Sequence, residues 1–217
     1  MLAAVATAAV WVVVWFGWLN LQARALVSHI HDHGPLPRTA APSPSSHIDP
    51  RLSGVAATLA GREVEVRCWS VGDWRRIDGE RAEIDDDPTS GGLRSAFTSY
   101  DRKRINLGTL VCADLAHSLQ GVYSGYESWS DLSWAVKLLG HEAMHVHGIG
   151  DEATAECYAM QLIPRTARLL GLSNEEGRYL ADFFWDEWYP VLDSGYRSTE
   201  CRNDGELDRN PETDLWP

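Results

Sequence analysis

The sequence predicts an α+β fold, mostly helical, with a small sheet ahead of three strong helices and an apolar helix at the N-terminus. Three observations carry this. "REVEVRCW", residues 62–69, alternates Val64, Val66 and Cys68 against charged neighbours, which is the period of a half-buried strand. Residues 131–192 hold three long segments of helical period with recognisable caps and stops. Residues 2–19, "LAAVATAAVWVVVWFGWL", carry no charge. At 1.5 Å per residue that run rises about 27 Å, close to a bilayer core.

Taken in order, residues 1–27 read as a membrane anchor, with Trp15 and Trp18 near one end, where interfacial tryptophans belong. The alternative is a signal peptide cleaved near Ala23-Arg24-Ala25, which would leave a secreted protein. Residues 28–50, rich in Pro, Ser and Ala, read as a linker, and His29, His31 and His33 within it as solvated residues. The folded domain is expected over 51–217. Its first segment, "RLSGVAATLAG", has short helical character, and residues 85–92, "DDDPTSGG", have loop composition. "RINLGTLVCADLAHSL" passes from a strand at Ile105–Leu107 into a helix.

Ser130 or Asp131 can cap the first strong helix, "LSWAVKLLGHEAMHVH", which Gly148 and Gly150 stop. Asp151 can cap the second, "EATAECYAMQLIPRTARLLG", with Pro164 predicting a kink or break. Ser173 and Glu176 form a capping-box pattern opening the third, "NEEGRYLADFFWDEWYPVL", whose Phe183, Phe184, Trp185, Trp188 and Tyr189 read as core. The remaining tail has turn composition and is expected to wrap the surface.

A formal charge of -12 argues against nucleic-acid binding, which rewards basic patches. Four cysteines, Cys68, Cys112, Cys157 and Cys201, include no CxxC pair and suit two disulfides in an oxidising compartment. The pairs expected are Cys68–Cys112 and Cys157–Cys201, among three possible connectivities. Arg24 after the apolar run pulls the other way, towards a cytoplasmic domain. The cysteines favour an extracytoplasmic one.

The chemistry concentrates in "HEAMH". Residues four apart on a helix lie about 6 Å apart along one side, so His141 and His145 can face one ion, with Glu142 about 100° round. The segment around them is apolar, and a buried face with two imidazoles and a carboxylate needs a partner such as zinc. Three acids compete to be the third ligand. Asp151 is engaged if it caps the next helix. Glu152 and Glu156 then share a face, with Glu152 on the metal and Glu156 holding a ligand histidine by its far nitrogen. Asp151 stays the alternative third ligand.

"HEAMH" followed by "EATAE" resembles the gluzincin metallopeptidases, within the wider zincin-like class, over about 20 residues. The resemblance implies His141, His145 and Glu152 as Zn2+ ligands, Glu142 as general base and Glu156 as the acid behind the ligands. It implies a zinc-dependent hydrolase acting on a peptide or protein substrate. "HEAMHVHGIGD" also fits the metzincin pattern, with Asp151 as ligand, but Met160 lies in a helical pattern rather than a methionine turn. "DEATAECYAMQ" and "YRSTECRNDGELD" look like uncharacterised actinobacterial membrane-anchored proteins carrying this motif. His147 reads as a helix C-terminal histidine. Pairing Cys157 with Cys201 would bring Tyr196 and Arg197 near the site. A non-catalytic binding domain, stabilised by zinc or by disulfides, is the competing reading.

Overall fold

The structure, a computed structural model, describes residues 45–78, 95–100, 103–117, 126–213 and 216–217. The apolar N-terminal run, the histidines at 29, 31 and 33 and the loop expected at 85–92 lie outside these residues. Among the described residues no helix is long and apolar enough to cross a membrane.

Among the described residues the fold is a mostly helical α+β arrangement with a four-stranded sheet and six α-helices. The strands are β1 (His47–Ile48), β2 (Glu65–Cys68), β3 (Ala96–Ser99) and β4 (Arg104–Leu107), ordered β1-β2-β4-β3. β2 and β4 run parallel at the centre, with Val66 opposite Ile105, while β1 and β3 flank them antiparallel. β1 falls within the stretch read as linker and pairs with β2 nonetheless. Asn106, buried on β4, donates to the Phe97 carbonyl and the Ser99 hydroxyl and accepts from the Trp69 indole, which fixes β3 at the sheet edge.

The helices are α1 (Pro50–Ala60), α2 (Val71–Asp78), α3 (Thr109–His117), α4 (Tyr126–His147), α5 (Glu152–Leu169) and α6 (Asn174–Phe183). Asp49 caps α1 by accepting from the Arg51 and Leu52 N–H groups, with Pro50 at the first helical position. α4 begins at Tyr126, before the expected Ser130 or Asp131 cap. Ser130 is buried and the helix has one more turn ahead of it. α5 runs through Pro164 without a break, one of the two outcomes, a kink or a break, that the sequence predicts there. The tertiary packing of α6 holds that stretch: Gly177 lies so close that a Cβ there would meet the Pro164 Cα and carbonyl oxygen at 3.1 Å. The capping box of Ser173 and Glu176 forms, but α6 is shorter than its sequence pattern, giving way to a π-helical turn at Phe184–Trp188 and a 3-10 turn at Tyr189–Val191.

The core joins α1, the inner strands, α4, α5 and α6 around Leu52, Val66, Ile105, Leu139, Met160, Ile163 and Phe184. Two disulfides close it, Cys68–Cys112 and Cys157–Cys201, both as the sequence predicts. The second staples the irregular tail to α5. Its Cys157→Ser/Cys201→Ser double variant is expected to lose about 2–4 kcal/mol, through the freed loop entropy of the unfolded chain. Unchanged urea midpoints for that variant would contradict this.

Candidate metal centre

The site is built by a helical hairpin. Gly148 takes φ 118° just after α4, and the Gly148 and Ile149 N–H groups close the helix end on the Met144 carbonyl. Asp151 then caps α5, accepting from the Thr154 N–H at 2.8 Å and its hydroxyl at 2.6 Å. That occupies the Asp151 carboxylate as expected and leaves Glu152 as the acid that meets the histidines. α5 returns antiparallel to α4 with Gly140 against Ala159, where an added Cβ would meet Ala159 at 3.6 Å. So close an approach interleaves two faces: Lys137, His141 and His145 from α4, Glu152 and Glu156 from α5.

His141 Nε2, His145 Nε2 and Glu152 Oε2 converge. The two nitrogens are 3.0 Å apart, and the oxygen lies 3.0 Å from His141 and 3.2 Å from His145. The tautomers decide what can fill the space between them. His145 Nδ1 lies 2.8 Å from the Ile149 carbonyl oxygen, which can only accept, so that nitrogen carries the proton. His141 Nδ1 lies 2.7 Å from Glu156 Oε2, at ion-pair distance but off the N–H axis, and its Nε2 is within hydrogen-bond distance of Glu152. With the His141 proton on Nδ1, two Nε2 lone pairs and a carboxylate lone pair would face one another, an arrangement that calls for a cation.

These three residues form a group that could hold a metal ion. The donor set of two imidazoles and one carboxylate suits zinc, and bonds of about 2.0–2.1 Å at tetrahedral angles put ligand atoms about 3.3 Å apart. The observed spacings are within about 0.3 Å of that. The histidine side chains are buried, while Glu152 is 46% exposed, so the cluster sits at a surface and can admit further ligands. The grouping of His47, Asp49 and Cys68 does not compare, because Cys68 is in a disulfide and Asp49 caps α1.

Without a metal, a proton takes the cation's place. Burial disfavours the charged ring of His141, but hydrogen bonds to Glu152 and Glu156 and the charges of Glu156 and Glu142 outweigh it, raising its pKa to about 9. Metal uptake must displace that proton. Below about pH 9, zinc binding is therefore expected to release about one proton per ion, with affinity falling about tenfold per unit of pH decrease. Calorimetry in buffers of different ionisation enthalpy measures this, and a buffer-independent heat would contradict it.

Glu142 is buried on α4, and its Oε2 accepts from the Thr98 hydroxyl at 2.7 Å. Thr98 comes from β3, so the sheet edge fixes the carboxylate beside the histidines. Tyr100, just past β3, is exposed; burial first, then the negative charges of Glu142 and Glu152, push its phenol pKa up. The Tyr196 ring lies 6.0 Å from that of His141, near the site as the Cys157–Cys201 pair implies. Arg197 turns away to the Pro190 carbonyl. His147 donates from Nδ1 to the Ala60 carbonyl at 3.0 Å, a link between helix ends.

Sequence reasoning missed Thr98 and Lys137. Lys137 offered a signal, a lone charge four residues before His141 in an apolar run. Thr98 offered none. Compared with protein-family models, curated proteins and solved structures, the chain matches none of them.

Proposed function

We propose that the protein is a zinc-dependent peptide-bond hydrolase of gluzincin-like, zincin-type architecture. The observation that carries the reading is the convergence of three donor atoms from His141, His145 and Glu152 beside a buried carboxylate, Glu142. Bound zinc would supply a Lewis acid that acidifies a water molecule and polarises the scissile carbonyl. His141, His145 and Glu152 would hold the ion, and Glu156 would orient the His141 ring through Nδ1. Glu142 would take the proton of the attacking water and return it to the leaving amine. Thr98 would keep one oxygen of Glu142 engaged, leaving the other for the proton. The half-exposed Glu152 favours a catalytic over a sealed structural site, since structural zinc is enclosed by four protein ligands. Two disulfides fit a membrane-anchored protein with its domain outside the cytoplasm.

The test is elemental analysis of the chain after zinc reconstitution, followed by hydrolysis of a peptide library with and without chelator. About one zinc per chain, lost in His141→Ala, with chelator-sensitive cleavage, is the expected result. Absence of zinc from the reconstituted protein would overturn the reading. Zinc without cleavage would leave a non-catalytic zinc-stabilised domain.

A further inference from the structure

Behind the donors lies a buried ion pair that the reaction scheme does not use. Lys137 is 3% exposed and Glu156 0%. The ammonium lies 3.0 Å from one Glu156 oxygen and 3.2 Å from the other. It also sits 4.2 Å from the centre of the Trp134 ring and 5.2 Å from that of Phe184, so aromatic faces enclose its remaining side. The oxygen that accepts from Lys137 is the one that faces His141 Nδ1 at 2.7 Å. Lys137 and His141 are one turn apart on α4, and Glu156 reaches between them from α5. Lys137, Glu156 and His141 thus form one chain of charge contacts that ends at Nε2 of His141.

We infer that Lys137 is a positioning residue for the metal centre, acting through Glu156 to hold His141 with Nδ1 protonated and Nε2 turned to the ion. This rests on the zinc reading above and adds to it the group that holds the orienting carboxylate. A carboxylate with no exposure is costly unless paired, and an unpaired one would move or draw other donors to itself. The Lys137 ammonium compensates its charge and donates to Oε2, so Glu156 stays ionised and presents to Nδ1 a group that can only accept. An amide in that place could offer a donor instead, which would turn the ring to its other tautomer and block Nε2 with a proton. The neighbouring ligand needs no such support, because His145 Nδ1 meets a backbone carbonyl, which also only accepts.

The test is a double-mutant cycle on zinc affinity, read by competition with a chromophoric chelator, using Lys137→Met, Glu156→Leu and both together. Each single variant is expected to bind zinc about 10–100-fold more weakly, the range for lost partners of ligand histidines. The double variant should bind no more weakly than Glu156→Leu, because Lys137 supports the ligand histidine only through Glu156. Lys137→Met with the affinity of the unaltered chain, or losses that multiply in the double variant, would overturn the inference. A second measurement needs no variant: 15N NMR of the zinc-loaded chain should show His141 with a proton on Nδ1 and the metal on Nε2. The reverse assignment would also overturn it. If the unaltered chain binds no zinc, the metal reading itself fails; equal binding by it and Lys137→Met removes only the role of Lys137.

Discussion

Glu142→Gln is expected to slow peptide hydrolysis by about 10²–10⁴-fold while the metal stays bound. The substitution preserves size and the Thr98 contact, since an amide oxygen accepts the hydroxyl as a carboxylate does. What it removes is the capacity to take a proton from water. Glu142 touches none of the three converging donor atoms, so zinc content should not change. The comparison that decides is kcat against metal stoichiometry on the same preparation. More than a tenth of the activity surviving in a zinc-replete variant would exclude Glu142 as the base.

Glu156→Ala is expected to cost about 3–5 kcal/mol of folding stability, among the largest losses available to one substitution here. Alanine leaves the Lys137 ammonium without its anion, in a place where water cannot reach it. The Trp134 and Phe184 rings offer only a fraction of the lost attraction. Urea denaturation in chelator isolates this effect from metal binding, and a loss below about 1 kcal/mol would contradict it. The pH dependence has a definite sign. Burial raises the Glu156 pKa, but Lys137 and His141 together pull it below the ordinary 4.5. Its contribution is therefore complete above that pH and is lost as acidity moves through the lowered value. The deficit of the alanine variant should shrink accordingly in acid.

What the sequence disclosed was local. The histidine pair, the Asp151 cap, the capping box at Ser173 and the strand at Ile105–Leu107 each lie within a few residues of their own cause. The disulfide pairing was also anticipated. β3 was not, because all four of its side chains are half-buried and "AFTS" has no clear alternation; long-range pairing with β4 makes it a strand. α2 was missed too, a short helix with the polar sequence "VGDWRRID" that buries Trp74. In the last helix pattern the apolar period continued past Phe183, although packing changes the helix type there. Thr98 meets Glu142 across 44 positions, and Lys137 meets Glu156 across 19. No spacing rule reaches that far.

That difference in reach has a consequence for how the centre comes into being. Every group in the interleaved ladder, from Lys137 to Glu156, belongs to one hairpin with a four-residue turn at 148–151. Short-range contacts of this kind close quickly, because little chain entropy is spent before they form. Thr98 must be delivered from the sheet, and Tyr196 from a tail stapled at Cys201. On the proposed zinc reading, a nascent chain would assemble its donors and Glu142 during early nucleation and gain the Thr98 contact and the aromatic neighbour later. Such an order would leave Glu142 without its positioning contact until the sheet had formed.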